Sequence, residues 1–345
     1  MLKVIPLVSL APTAILWATC LLLSALAADT SVLASTQDAD PTAPANPATQ
    51  PEFPATGAST DTTRPVTPAE ARAAFARPIV LDADDKPAFS APPSGFDRVR
   101  GGIPCGTLQV TEYASRTVGT RRKMLIYLPP GYSTEQRYPA LYLLHGIGGD
   151  EHEWTGYCHA DIILDNLIAD GKAVPMVVVM PNGRAQKDDR PPHGNIYAAA
   201  PAFAVFEHDL LDDVIPAVES RYSVQTDRDH RALAGLSMGG GQALNFGLAH
   251  PDVFAWLGAF SPAPNTKHPT ELLPHPGRAT ELKLLWLSCG NKDGLINISQ
   301  AVHRYLKQNN VPHVWNVDGH GHDAPEWMPN LYYFAQRIFR PSKGG

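Results

Sequence analysis

The stretch RALAGLSMGG, residues 231–240, decides how this chain is interpreted. It contains the pattern G-x-S-x-G at Gly235, Ser237 and Gly239, between a short apolar run and a segment with helical character. The pattern is typical of a sharp turn from a strand into a helix, in which the flanking glycines let the two backbones pass closely and the serine projects outward. The motif by itself recurs by chance, so Ser237 as an ordinary helix cap is the alternative that the rest of the chain must decide.

Short apolar runs alternate with amphipathic stretches from residue 95 onward. This alternation predicts strands and helices around a mainly parallel sheet, in one α/β domain over residues 95–341. The predicted strands cover residues 123–128, 140–144, 174–180, 231–234, 254–260, 282–288 and 313–317. The predicted helices cover residues 161–169, 209–222, 239–249 and 298–308 and part of 325–339.

A carboxylate and a histidine follow the serine in the order that a serine nucleophile requires. The serine hydroxyl becomes nucleophilic when a histidine takes its proton, and a carboxylate fixes the histidine tautomer. Asp293 lies in the turn after the sixth predicted strand, and His320 and His322 lie in the loop after the last one. We therefore predict Ser237 and Asp293 as catalytic residues, with either histidine as the base on this ordering alone.

The histidine cluster of this loop has a second interpretation, a metal site built from His320, His322 and Asp323. We disfavour it because no second group of ligands stands at a recognisable spacing elsewhere in the chain. The prediction is therefore a reaction that needs no metal and no cofactor.

The negative charge of a tetrahedral intermediate requires two backbone N–H donors, which form the oxyanion hole. Met238, directly after the nucleophile, is predicted to supply one donor. The loop HGIGG, residues 145–149, is predicted to supply the other from Ile147, with Gly148 as the alternative. His145 at the start of this loop is predicted to be structural.

Taken together, these segments resemble the esterase family that contains feruloyl esterases and acetylxylan esterases, and more widely enterochelin esterases, S-formylglutathione hydrolases and mycolyltransferases. The resemblance extends over residues 95–339 and implies an α/β-hydrolase fold, a mostly parallel sheet flanked by helices. It rests on YLPPGY (127–132), LLHGIGG (143–149), DNLIA (165–169), VMPNG (179–183), AGLSMGG (234–240) and CGNKDGL (289–295).

The resemblance also selects between the two histidines. The family's catalytic histidine stands in a Gly-His-Asp segment with a tryptophan five positions later, and His322 with Trp327 matches this pattern whereas His320 does not. Residues 324–326 depart from the family, which often has another tryptophan directly after the aspartate. The departure concerns the shape of the pocket rim and leaves the predicted triad of Ser237, Asp293 and His322 intact.

The resemblance implies a secreted serine esterase that releases ferulic (hydroxycinnamic) or acetyl groups from plant cell-wall xylan. Trp154 and Trp327 are predicted to bind substrate, since aromatic walls suit a flat cinnamoyl ring; core packing is the alternative for each. Two other classes stay open: an acyltransferase of the mycolyltransferase type with the same triad, and a non-catalytic binding protein on a hydrolase scaffold.

The first 27 residues are typical of an export signal, with Lys3, an apolar run over residues 10–26 and small residues before a predicted cleavage after Ala27. A membrane anchor is the alternative. Residues 28–94 are predicted as a disordered Pro/Thr/Ala-rich linker, because residues 36–68 alone hold seven prolines and few large apolar residues. A secreted or periplasmic location follows from the signal.

Composition limits the remaining partners. A net charge of −6 with 18% charged residues argues against a nucleic-acid partner, which a clustered basic excess would indicate. Cys105, Cys158 and Cys289 remain after the predicted cleavage, and three cysteines do not build a disulfide framework. Cys289 ends an apolar run and is predicted to be buried, and whether Cys105 pairs with Cys158 stays open.

Overall fold

An eight-stranded sheet forms the centre of the computed structural model, which describes residues 67–340. Its strands lie in the order β1-β2-β4-β3-β5-β6-β7-β8; β2 runs antiparallel to β1 and β4, and the strands from β4 onward are parallel. The predicted mostly parallel α/β sheet is confirmed. The strands are β1 (Thr107–Ser115), β2 (Thr120–Leu128), β3 (Ala140–Leu144), β4 (Val177–Pro181), β5 (Arg231–Leu236), β6 (Trp256–Phe260), β7 (Leu284–Gly290) and β8 (Val314–Asp318).

Helices cover both faces of the sheet, so the central strands are apolar on both sides. Every residue of β3 is buried, and successive side chains enter different apolar clusters: Leu141 and Leu143 one, Tyr142 and Leu144 the other. The helices are α1 (Pro68–Phe75), α2 (Glu153–Gly156), α3 (Ala160–Ala169), α4 (Ala200–Asp209), α5 (Ile215–Arg221), α6 (Met238–Ala249), α7 (Pro269–Leu272), α8 (Ile296–Gln308) and α9 (Ala324–Ala335).

The predicted elements do not include strand β1 or helices α2, α4 and α7. β1 is an edge strand whose first four residues are exposed, so it lacks the apolar run by which the other strands were found. The helix predicted over residues 209–222 is present but irregular: a π turn, Leu210–Val214, follows the end of α4 and leads into α5. Pro216 in the first turn of α5 has no N–H to donate, so a regular α-helical ladder cannot run through this point.

Residues 67–94, the end of the segment predicted as a disordered linker, are ordered. α1 starts with a capping box between Thr67 and Glu70, and residues 76–90, which we name the N-terminal strap, then cross α8 and β8. Gln300 donates to the carbonyl of Val80 at 2.8 Å, and the N–H of Ala88 donates to Asn316 at 2.9 Å.

An aromatic contact adds to these hydrogen bonds. Phe89 stacks on Trp286 and Tyr333, with ring centroids 5.1 and 4.8 Å away. The prediction of disorder is therefore wrong for residues 67–94, because a few well-placed side chains find partners on the domain that composition does not reveal. The remainder of the predicted linker and the export signal lie outside the described residues.

The structure also bears on the pairing of the cysteines and on whether a helix could span a membrane. Cys158 and Cys289 are buried and Cys105 is exposed, and all three are free, so Cys105 and Cys158 do not form a disulfide. The predicted burial of Cys289 is confirmed. Between residues 67 and 340, each helix is too short or too polar to cross a bilayer.

Candidate active site

The turn between β5 and α6 carries Ser237 in a backbone conformation that L-residues rarely adopt, with φ 52° and ψ −119°. The glycines on either side make this turn possible. A Cβ at Gly239 would lie 2.4 Å from the carbonyl oxygen of Leu144, and one at Gly235 would lie 2.5 Å from the backbone of Gly239. Because both contacts involve backbone atoms, neither can relax, and the turn requires glycine. The predicted strand–turn–helix context of Ser237 is present.

Three predicted side chains meet at this turn from distant parts of the chain. His322 Nε2 lies 2.9 Å from Ser237 Oγ, and His322 Nδ1 lies 2.7 Å from Asp293 Oδ2. Asp293 follows β7 and His322 follows β8, so both come from the carboxyl edge of the sheet. His320 turns away, exposed, and pairs with Asp318 at 3.0 Å. The structure therefore brings together Ser237, His322 and Asp293 and leaves His320 outside.

Asp293 is fully buried, and its surroundings keep it ionised. Burial raises the pKa of this carboxyl, but the hydrogen bonds that it accepts from His322 and from the Leu295 N–H outweigh that effect and hold the pKa below its ordinary value. The Cys289 thiol also donates to it, at 3.4 Å. An ionised Asp293 holds the proton of His322 on Nδ1, which leaves Nε2 free to accept the serine proton.

Met238 and Ile147, the predicted oxyanion donors, lie beside the serine on α6 and on the loop 145–149. Within residues 67–340, neither N–H is taken up by a protein acceptor. The loop 145–149 is held by a residue that the sequence analysis missed. Arg184 is fully buried and donates to the carbonyls of Ile147 at 2.6 Å and Gly149 at 3.1 Å. The only sequence signal for Arg184 is its place directly after the VMPNG segment.

His145 supports the same loop, as predicted. Its Nδ1–H donates to the carbonyl of Gly146 at 2.6 Å, and its Nε2 accepts from the N–H of Gly183 at 2.8 Å. Burial and the nearby Arg184 guanidinium lower the pKa of His145 to about 4. A neutral ring therefore joins the oxyanion loop to the segment after β4.

The tryptophans predicted to bind substrate occupy different environments. Trp154 is 1% exposed, donates its indole N–H to the carbonyl of Leu144 at 2.9 Å and packs edge-on against Phe260. Its predicted place in the pocket wall is wrong, because the whole ring is used inside the core. Trp327 is 5% exposed and lies perpendicular to His322, with ring centroids 5.2 Å apart. Trp327 is thus adjacent to the site, and its contact with substrate stays a prediction.

A second aromatic ring contacts the same imidazole. Phe75, the last residue of α1, packs edge-on against His322 with ring centroids 5.3 Å apart. The sequence analysis missed this residue because it stands in the region predicted as a linker, more than two hundred positions before His322.

Comparison with known proteins identifies an esterase family. Residues 115–332, more than half of the chain, match the model of the Esterase family, described as "Putative esterase". An endo-1,4-beta-xylanase/feruloyl esterase of Xylanibacter ruminicola is 31% identical over 250 residues, which are 71% of this chain and 33% of that protein. The match thus spans about a third of the length of this curated relative.

Solved structures show the same fold. The ferulic acid esterase of carbohydrate esterase family CE1 from the anaerobic fungus Anaeromyces mucronatus superposes with a TM-score of 0.64 at 28% identity, covering 72% of this chain and 96% of that one. The same enzyme in complex with ferulic acid gives a TM-score of 0.63 at 26% identity, with the same coverage. These matches confirm the resemblance and the α/β-hydrolase fold predicted from the sequence.

Proposed function

We propose that this chain, which belongs to the Esterase family of α/β-hydrolases, is a serine carboxylic-ester hydrolase that releases feruloyl or related hydroxycinnamoyl groups from plant cell-wall xylan. The observation that carries the proposal is the unbroken series of hydrogen bonds from Ser237 through His322 to Asp293. A serine held only as a helix cap would need neither an imidazole at its hydroxyl nor a buried carboxylate behind that imidazole.

The proposed reaction has two halves. In the first, Ser237 Oγ attacks the ester carbonyl carbon while His322 Nε2 takes its proton, and the N–H groups of Met238 and Ile147 stabilise the oxyanion. His322 then returns the proton to the leaving alkoxide, and the acyl group remains on Ser237. In the second half, His322 activates a water that attacks the acyl-enzyme and releases the acid. Asp293 holds the imidazole and stabilises its charge throughout.

The substrate class and the location are supported by the relatives and by the amino-terminal sequence. A feruloyl esterase is named in the Xylanibacter relative, and the Anaeromyces enzyme binds ferulic acid. A polymeric substrate such as xylan lies outside the cell, which agrees with the export signal predicted in residues 1–27 and with a secreted or periplasmic enzyme.

The test uses the purified full chain with methyl ferulate, acetylated xylan and 4-nitrophenyl acetate. We expect methyl ferulate to be the best substrate, and Ser237→Ala to lower turnover by about 10⁴-fold. Ser220→Ala, an exposed serine on α5, is the matched control and should retain full activity. A Ser237→Ala enzyme that keeps more than about a tenth of the wild-type rate would refute the assignment.

The same experiment separates the remaining alternatives. A preference for acetylated xylan over methyl ferulate would replace the feruloyl substrate by an acetyl one on the same site. Efficient formation of a new ester when an acceptor alcohol is added would instead identify an acyltransferase.

A further inference from the structure

The carboxyl end of α1 is seated directly on the active site. Ala74 packs against an apolar cluster that includes Met238, Leu295 and the partly buried Ile147. The backbone of Phe75 lies on Gly294, which follows Asp293: a Cβ at Gly294 would lie 2.1 Å from the Phe75 carbonyl oxygen. Such a close approach to backbone is possible only at glycine, so α1 and the loop that carries Asp293 have matched surfaces.

The two rings that contact His322 differ in exposure. Trp327 is 5% exposed and belongs to one of the two large buried apolar clusters, so it supports the imidazole from inside. Phe75 is 40% exposed, and it is among the few large apolar side chains of the described residues that reach the surface. An apolar ring that contacts the predicted base and keeps part of its surface open is available to a substrate, whereas a buried ring is not.

The proposed reaction indicates which part of the substrate would lie against the Phe75 ring. His322 Nε2 must deliver its proton to the leaving oxygen, so the leaving alcohol has to come within hydrogen-bond distance of this nitrogen. The oxyanion points in another direction, toward Met238 and Ile147. The Phe75 ring centroid lies 5.3 Å from that of the imidazole, so a sugar whose oxygen is hydrogen-bonded to Nε2 is large enough to reach the Phe75 ring.

We propose that Phe75 is a specificity-determining residue for the leaving alcohol, its ring packing against the C–H face of the sugar from which the acyl group is released. This inference rests on the proposed esterase function and extends it to a residue outside the segment 115–332 that matches the family. It assigns α1, which the sequence placed in a linker, to the substrate-binding site.

The test compares two esters with the same acyl group and different alcohols, methyl ferulate and feruloylated arabinose. Both form the same feruloyl-enzyme, so a difference in kcat/KM between them reports binding and acylation, the steps in which the alcohol is still part of the substrate. For Phe75→Ala we expect kcat/KM to fall about five- to tenfold for the arabinose ester and by less than about twofold for the methyl ester. Methyl ferulate thereby also serves as the check that the variant is folded.

Two further variants complete the design. Phe75→Tyr keeps the ring and should retain the preference for the arabinose ester. Val80→Ala shortens a side chain that is 70% exposed on the N-terminal strap and should leave both rates unchanged.

The inference is overturned if Phe75→Ala lowers kcat/KM equally for both esters, because the ring would then only support His322. It is overturned as well if neither rate changes, or if the wild type shows no preference for the arabinose ester. In each of these cases methyl ferulate hydrolysis that depends on Ser237 leaves the proposed function standing. A wild type that hydrolyses neither ester removes both proposals.

Discussion

At the scale of single residues, His322 is constrained on every side. Its Nδ1 is hydrogen-bonded to Asp293 and its Nε2 to Ser237. The rings of Trp327 and Phe75 each make an edge-to-face contact with the imidazole. These contacts keep the imidazole in the orientation in which it can take the serine proton. No such contacts among residues 67–340 orient His320 toward Ser237, so we expect that His320 cannot replace His322 as the base.

The two loop histidines give the first prediction at this scale. His322→Ala should lower kcat/KM for methyl ferulate by about 10⁴-fold, because the serine then has no base. His320→Ala should stay within about threefold of wild type, since this exposed ring contacts Asp318 and not the serine. Steady-state kinetics of both variants measures this, and the reverse ranking would make His320 the base.

His145 predicts a pH dependence of stability. Its pKa is about 4 in the folded protein against an ordinary value of 6.5, so the unfolded chain takes up a proton at mildly acid pH that the folded protein refuses. Stability is therefore lost as pH falls from the unfolded value toward the folded one, and this contribution levels off below the folded value. Between about pH 8 and pH 5 the loss amounts to about 2 kcal/mol.

The measurement is urea unfolding of wild type and His145→Gln at the two pH values. The variant should be less stable overall, but its loss between the two pH values should be smaller than that of wild type by the amount given above. Equal losses in the two proteins would show that His145 titrates normally in the folded state.

At the scale of elements, the oxyanion loop 145–149 depends on a partner outside itself. It has no regular structure, and the carbonyls of Ile147 and Gly149 both accept hydrogen bonds from one nitrogen, Nη2, of the buried Arg184. The carbonyl of Ile147 shares its planar peptide with the N–H of Gly148, so Arg184 fixes that peptide directly and restrains the adjacent Ile147 N–H through the backbone. Arg184 thus acts on the proposed oxyanion hole without touching the substrate.

Arg184→Lys tests this positioning role. A lysine keeps the charge but has a single donor nitrogen, so it cannot hold the two loop carbonyls and also the Asp189 carbonyl that Nη1 binds at 2.7 Å. We therefore expect kcat for methyl ferulate to fall by about ten- to a hundredfold with little change in KM. Arg121→Lys, an exposed arginine that pairs with Glu112, is the control and should have wild-type kinetics. An unchanged kcat in Arg184→Lys would show that the loop is rigid without the clamp.

Strands and helices were predicted correctly where the sequence carries an apolar pattern on one or both faces. They were missed where contacts between distant segments stabilise an element that has no such pattern. β3 and the segment from β5 to α6 were found because their burial is continuous along the chain. β1 was missed because an edge strand needs few apolar residues. Trp154 was assigned to the pocket wall because the sequence does not show whether a tryptophan lies in the core or lines a pocket.

At the scale of the whole molecule, the N-terminal strap ties the beginning of the described chain to its end. Phe89 lies against Trp286 of β7 and Tyr333 of α9, and Arg337 lies over its ring at 4.3 Å from the centroid. Asp82 and Asp84 of the strap pair with Arg304 and Lys307 on α8. These pairs are partly exposed and contribute little, so the aromatic stack is the main attachment.

Phe89→Ala should therefore loosen the strap. We expect the free energy of unfolding to fall by about 2 kcal/mol, and native-state thermolysin cleavage before Leu81 of the strap to become faster. Urea titration and timed proteolysis measure the two effects, with the exposed Val99→Ala as control. A strap that is cut equally fast in wild type and Phe89→Ala would mean that the stack does not hold it.

The amino-acid sequence by itself determined the fold class, the nucleophile turn and the order of serine, carboxylate and histidine, because each is encoded locally. A strand is an apolar run, the turn needs its glycines, and residues at the carboxyl ends of parallel strands meet at one edge. Only the tertiary structure decided that Arg184 clamps the oxyanion loop, that Trp154 is buried and that Phe75 lies on His322. These contacts join segments far apart in the chain, and packing between distant segments leaves no periodic pattern in either of them.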